Sequence, residues 1–153
     1  MAATYIERSH RVVSARHAMV DAMWNLMRVP FKAGGRDFSG VDCAGVIELA
    51  AYHAGLALLP LDPDSYNLAN LQSVDVLACA NQWGVHTGDY PRHGDLVLTW
   101  LLNPAEPCHG GIYDAETISL LHARPRGGVV ASDFDKWKMR RTHVFRLHGY
   151  DCK

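Results

Sequence analysis

The chain is short of the features that would tie it to a membrane, to nucleic acid or to a cofactor. No apolar run approaches the length of a membrane span. The opening residues, Met-Ala-Ala-Thr-Tyr-Ile-Glu-Arg, lack the basic-then-apolar pattern of a signal peptide, so synthesis and folding in the cytoplasm are expected. Lys and Arg total 15 against 16 Asp and Glu, a net charge of −1, which argues against a basic footprint for nucleic acid or anionic lipid. The four cysteines, Cys43, Cys79, Cys108 and Cys152, are widely spaced with no Cys-x-x-Cys pair, and they read as free thiols. A chain of 153 residues buries enough core to need no disulfide, and residues 1–153 read as one domain without repeats.

Nine histidines raise the question of metal. Cys79, His86, His93, Cys108 and His109 are the donors to consider, yet His-Glu-x-x-His, paired Cys-x-x-Cys and His-x-Glu before Pro-Cys-x-x-Cys are all missing. The Gly34-Gly35 loop has no Lys-Ser or Lys-Thr behind it and is no phosphate cradle. Neither a metal nor an organic cofactor is expected.

What the chain does have is a helical first half and a stranded second half. From about Ser9 to Arg28, Val13, Val20, Trp24 and Met27 share a face that Val12, Met19, Met23 and Leu26 widen. Ser9 is the expected N-cap and Pro30 the stop. A second helix is expected from about Cys43 to Gly55, capped by Asp42, with Val46, Ile47, Leu49, Ala50 and Ala54 inward. A third runs from near Asn67 to Trp83 and ends at Gly84. Strands follow over 95–100, 110–113, 118–123, 129–132 and 143–147, separated by short turns. This order predicts an α+β domain, an antiparallel sheet with helices on one side.

Against that background Asp42-Cys43-Ala44-Gly45 stands out. A thiol in the first turn of a helix is expected to have a lowered pKa, and the Cys43 N–H, unpaired there, is an oxyanion donor. Gly40, Ala44 and Gly45 leave room for a substrate backbone to reach the sulfur. Asp42 disfavours a thiolate, and its better use is to cap the helix or to meet Arg36. The same cysteine also fits a small buried hydrophobe at a helix start. His109 opens a strand, with Gly110 and Gly111 permitting close approach, and it is either a general base or a surface histidine. His122 follows 13 residues later, a hairpin spacing that sets it beside His109, to fix that ring or simply to lie half-buried. Cysteine, then histidine, then a third polar group is the order of a papain-like nucleophile.

The motifs Val29-Pro30-Phe31-Lys32-x-Gly34-Gly35, Val41-Asp42-Cys43-x-Gly45-Val46, His93-Gly94-Asp95-Leu96-Val97, His109-Gly110-Gly111-Ile112-Tyr113 and Leu121-His122-Ala123 together resemble the NlpC-like cell-wall cysteine peptidases. The resemblance spans about Pro30 to Leu147. It implies a papain-like fold of N-terminal helices on a five- to six-stranded antiparallel sheet, and cleavage of peptidoglycan stem peptides, commonly between γ-D-glutamate and the diamino acid. It makes Cys43 the nucleophile, His109 the general base and His122 the third polar group, with Asp42, Ala44, Phe31 and Gly110 on the substrate side. Ala44 replaces a common serine and Phe31 a common tyrosine, removing hydroxyls that could contact substrate. Pro30-Phe31-Lys32, Asp64-x-Tyr66 and Trp137-x-x-Arg140…Val144-Phe145-Arg146 resemble peptidases of bacteriophage tails and gene-transfer agents. That likeness implies a virion tail-tip protein with hub proteins as neighbours, acting on the wall of the target cell. A weakly active structural tail protein, and an amidase or acyltransferase with the same triad, are the alternatives.

Overall fold

A computed structural model describes residues 14–65 and 73–150. Helix α1 spans Ala15–Asn25, and its N-cap is Ser14, whose side chain accepts a hydrogen bond from the His17 N–H. Ser9 and Val12–Val13 lie outside the described residues. Met19, Val20, Ala22 and Met23 form the buried face, and Leu26 follows in the closing turn. Trp24 does not join them: it is 38% exposed at the rim, because its indole N–H reaches across to Asp114 Oδ2 at 2.7 Å.

A two-residue hairpin, β1 (Arg36–Asp37) with β2 (Gly40–Val41), leads into helix α2 (Cys43–Ala54). Asp42 caps α2 by accepting from the Gly45 N–H, and Gly55 ends it in the left-handed conformation with φ of 79°, as the residue types require. Val46, Ile47, Ala50 and Ala51 are buried, while Leu49 and Ala54 pack at the margin. Gly45 has a particular task. A Cβ there would lie 2.0 Å from Gly35 O and 2.8 Å from the Arg36 guanidinium. Gly45→Ala, which in an open helix would add stability, is therefore expected to cost about 1–3 kcal/mol, read as a lower urea midpoint.

Helix α3 (Ser73–Trp83) ends where expected; the 67–72 part of its expected span is outside the described residues. The chain then turns directly into β3 (Gly84–Thr87), a strand missed by reading Gly84 as a helix stop. It is an edge strand with Val85 and His86 exposed, so it carries no apolar alternation. The remaining strands are β4 (Leu96–Trp100), β5 (Pro107–Asp114), β6 (Ser119–Arg124), β7 (Gly128–Asp133) and β8 (Arg141–Leu147). They form a six-stranded sheet of order β3-β8-β4-β5-β6-β7, antiparallel throughout.

One face of this sheet meets α1 and α2 through Leu96, Leu98, Ile112, Leu121 and Phe145. The opposite face is not bare, contrary to the expectation of helices on one side. A short helix α4 (Phe134–Trp137) covers it, burying Phe134 against Val97, Tyr113 and Leu120 with Trp137 alongside. Four residues are too few to show a helical period in sequence.

Candidate active site

Capping places Cys43. Asp42 is fully buried; its Oδ1 accepts from the Gly45 N–H at 2.7 Å and from Arg36 at 2.9 Å, and its Oδ2 from the Gly34 N–H at 2.9 Å. These bonds lock the β1–β2 hairpin to the start of α2 and fix the backbone that carries the sulfur. They also close Asp42 off from the surface: the cap and the Arg36 pairing expected of it are both present, and it acts through the backbone and Arg36.

Cys43 and His109 line the same cleft of about 250 Å³, whose walls include Ala44, Ile47, Leu98 and Gly110. Phe31 is absent from this lining and packs at the edge of the core instead. β5 approaches the cleft with an irregularity. Thr99 pairs with His109 but Trp100 with Pro107, so Cys108 is an extra residue that bends the strand just before His109. Gly111 permits the close approach of β6 to β5, since a Cβ there would sit 2.8 Å from Leu121 O.

Behind His109 runs a chain of polar groups. His109 Nε2 lies 2.7 Å from His122 Nδ1, and His122 Nε2 lies 2.8 Å from Ser132 Oγ on β7. Trp137 packs on both rings, at 5.9 Å from His109 and 5.1 Å from His122. The two contacts run in either direction according to the tautomer; in the direction a base requires, His109 donates to His122 and His122 to Ser132, and both rings carry their proton on Nε2. His109 Nδ1 is then a lone pair, the form a base needs. Among the described residues His109 makes no hydrogen bond to the Cys43 sulfur.

Burial dominates the electrostatics. It raises the Cys43 thiol from 9.0 to about 12, helped by the Asp42 carboxylate and opposed by the Ala44 and Cys43 N–H groups and by Arg36. The expectation of a lowered thiol pKa is therefore corrected: a helix N-terminus favours the thiolate, but loss of water and an adjacent carboxylate outweigh it. Burial also lowers His109 from 6.5 to about 4 and, with His109 beside it, His122 to about 3. The resting pair is thus a neutral thiol and a neutral imidazole.

Stability follows from the same shifts. Between pH 6.5 and about 4 the unfolded chain binds protons that the folded rings refuse, so stability falls as pH drops through that window. The loss is on the order of a few kcal/mol, at about 1.4 kcal/mol per pKa unit. Thermal unfolding against pH is expected to show this acid limb, and His122→Gln to make it shallower.

No protein-family model matches the sequence, and comparison with curated proteins finds no match. Solved structures do match. The NlpC/p60 domain of the peptidoglycan hydrolase SagA aligns over 86% of this chain and 98% of its own, with 18% identity and a TM-score of 0.57. The P60 domain of an antigen from M. avium subspecies paratuberculosis aligns over 89% and 96%, with 21% identity and a TM-score of 0.62. NlpC2 from Trichomonas vaginalis gives a TM-score of 0.65 at 17% identity, this chain matching 46% of it. The fold is that of the NlpC/p60 domains.

Within this NlpC/p60 fold, Cys43, Ala44, His109 and Gly110 come together at one cleft, and His122 lies directly behind His109. His109 is buried and His122 fully so, which removes the surface and half-buried readings of both. Sequence reasoning missed Ser132 and Trp137 as members of the site. Ser132 had a faint signal: Val130 pairs with His122 across β6 and β7, and Ser132 is the next residue on the same strand face. Trp137 stood in a motif but with no sign of a place beside the two rings, since its approach depends on α4 folding over the sheet.

Proposed function

We propose that this chain is a cysteine peptidase that cleaves stem-peptide amide bonds of bacterial peptidoglycan, with the γ-D-glutamate to diamino acid bond as its target. The observation that carries the proposal is one cleft lined by Cys43 and by His109, backed by the His122–Ser132 relay. The fold of a peptidoglycan hydrolase domain supports the substrate class.

In the proposed reaction His109 Nδ1 takes the thiol proton as sulfur attacks the scissile carbonyl carbon. The Cys43 N–H holds the developing oxyanion. The His109 imidazolium, stabilised through His122 and Ser132, gives its proton to the leaving amine. It then takes a proton from the water that hydrolyses the thioester. Because the resting pair is neutral, proton transfer accompanies attack instead of preceding it.

The likeness of Pro30-Phe31-Lys32 and Trp137-x-x-Arg140 to tail peptidases supports a place at the tip of a phage-like particle, opening the wall locally. The test is digestion of purified sacculi by wild type and Cys43→Ala, with products read by mass spectrometry. Wild type is expected to release new amino termini at one bond, and Cys43→Ala to release none. Equal release by both would end the proposal.

A further inference from the structure

We propose that His17, His93 and Glu116 form a zinc site that pins the start of α1 to the β5–β6 turn. It lies outside the cleft and uses residues that the peptidase reading does not. One ligand atom from each of the three lies within 4.8 Å of the others. Tetrahedral zinc holds its ligands at about 2.0–2.2 Å, hence roughly 3.4 Å from one another. Closure therefore asks for a shift of about an ångström, and His17 and Glu116 are exposed side chains with room to make it.

The His17 ring is arranged for it, and the His93 ring reaches the same arrangement by one proton shift. His17 Nδ1 lies 2.9 Å from Ser14 Oγ, and His93 Nδ1 lies 3.5 Å from Asp114 Oδ1. A proton on His17 Nδ1, toward Ser14 Oγ, leaves the His17 Nε2 lone pair for a metal, whereas the His93 ring must first move its proton from Nε2 to Nδ1, toward Asp114. His93 Nε2 already lies 3.8 Å from Glu116 Oε1. His93 Nδ1 also accepts from the Ala115 N–H at 3.1 Å, and zinc binding would exchange that bond for one donated to Asp114.

Asp114 unites the arrangement. It is 3% exposed, its Oδ2 accepts from Trp24 on α1, and its Oδ1 accepts from the Glu116 N–H at 2.8 Å. One buried carboxylate thus lies beside His93 and shapes the turn that presents Glu116. Two imidazoles and a carboxylate, without thiolate, form a donor set suited to zinc, with water as fourth ligand. The bond would reinforce an existing tether, since the neighbouring Arg16 already donates to His93 O and to Asp95 Oδ1, each at 3.2 Å.

The experiment uses untagged full-length chain, stripped by chelator and titrated with zinc chloride by calorimetry, with cobalt(II) absorption as a second readout. Expected are one zinc per chain, a zinc-dependent rise in Tm, and cobalt bands typical of nitrogen and oxygen ligands. Glu116→Gln and His17→Ala, both on exposed side chains, are expected to weaken zinc binding about tenfold or more and to abolish the rise in Tm. Unchanged affinity in both variants would overturn the site. So would a thiolate charge-transfer band on cobalt, which would assign the metal to the cysteines.

Discussion

His109→Ala lowers the rate of stem-peptide cleavage by about 10²- to 10⁴-fold at neutral pH, the range that removal of a general base commands. The size follows from the thiol. With Cys43 raised to about 12 by burial and Asp42, almost none of it is ionised near neutrality, and only a base acting during attack can supply the nucleophile. The variant should therefore regain activity as pH rises, tenfold per unit, because hydroxide then makes the thiolate without help. Wild type should instead stay level from neutrality down toward the low His109 value of about 4. A wild-type-like rate in His109→Ala, measured on a soluble muropeptide, would remove His109 from the mechanism.

Arg36→Met is expected to destabilise the fold by about 3 kcal/mol, the lower end of what breaking a buried pair costs. The lower end applies because the Arg36 side chain is 22% exposed and partly screened, whereas Asp42 is at 0%. Arg36 binds Asp42, lies 3.0 Å from Glu48 Oε2 as an ion pair, and donates to Leu61 O at 3.3 Å, so it joins the hairpin, α2 and the following loop. The thiol provides a second readout with a sign. Arg36 lowers the Cys43 pKa and Asp42 raises it. At a fixed pH, alkylation of Cys43 should therefore slow in Arg36→Met and quicken in Asp42→Asn. Movement of both variants in the same direction would show that charge does not govern this sulfur.

How much of this was legible in the sequence depended on whether a feature is local. The Asp42 cap, the Gly55 stop and the apolar face of α2 are written within one or two turns of helix, and the structure matches them closely. The positions of the sheet strands were visible through β-branched and aromatic runs between turns. The edge strand β3 was hidden because only pairing with β8 defines it. Helix α4 and its Trp137 were hidden because four residues show no period. The spacing from His109 to His122 read correctly as a hairpin contact, since strand register is simple arithmetic. The pKa of Cys43 differs from expectation because a cap position shows in sequence, whereas the loss of water around this half-buried sulfur emerges only when α2 meets the sheet.

The account rests on Cys43 and His109 working together on one amide bond. The most direct test is to quench wild-type enzyme within the first turnovers of a muropeptide and map the product by mass spectrometry. A thioester-linked acyl fragment on Cys43, and on none of Cys79, Cys108 or Cys152, is the predicted result, with no adduct in His109→Ala at neutral pH. Substrate turnover with no covalent intermediate at Cys43, or an adduct that forms equally fast without His109, would contradict it.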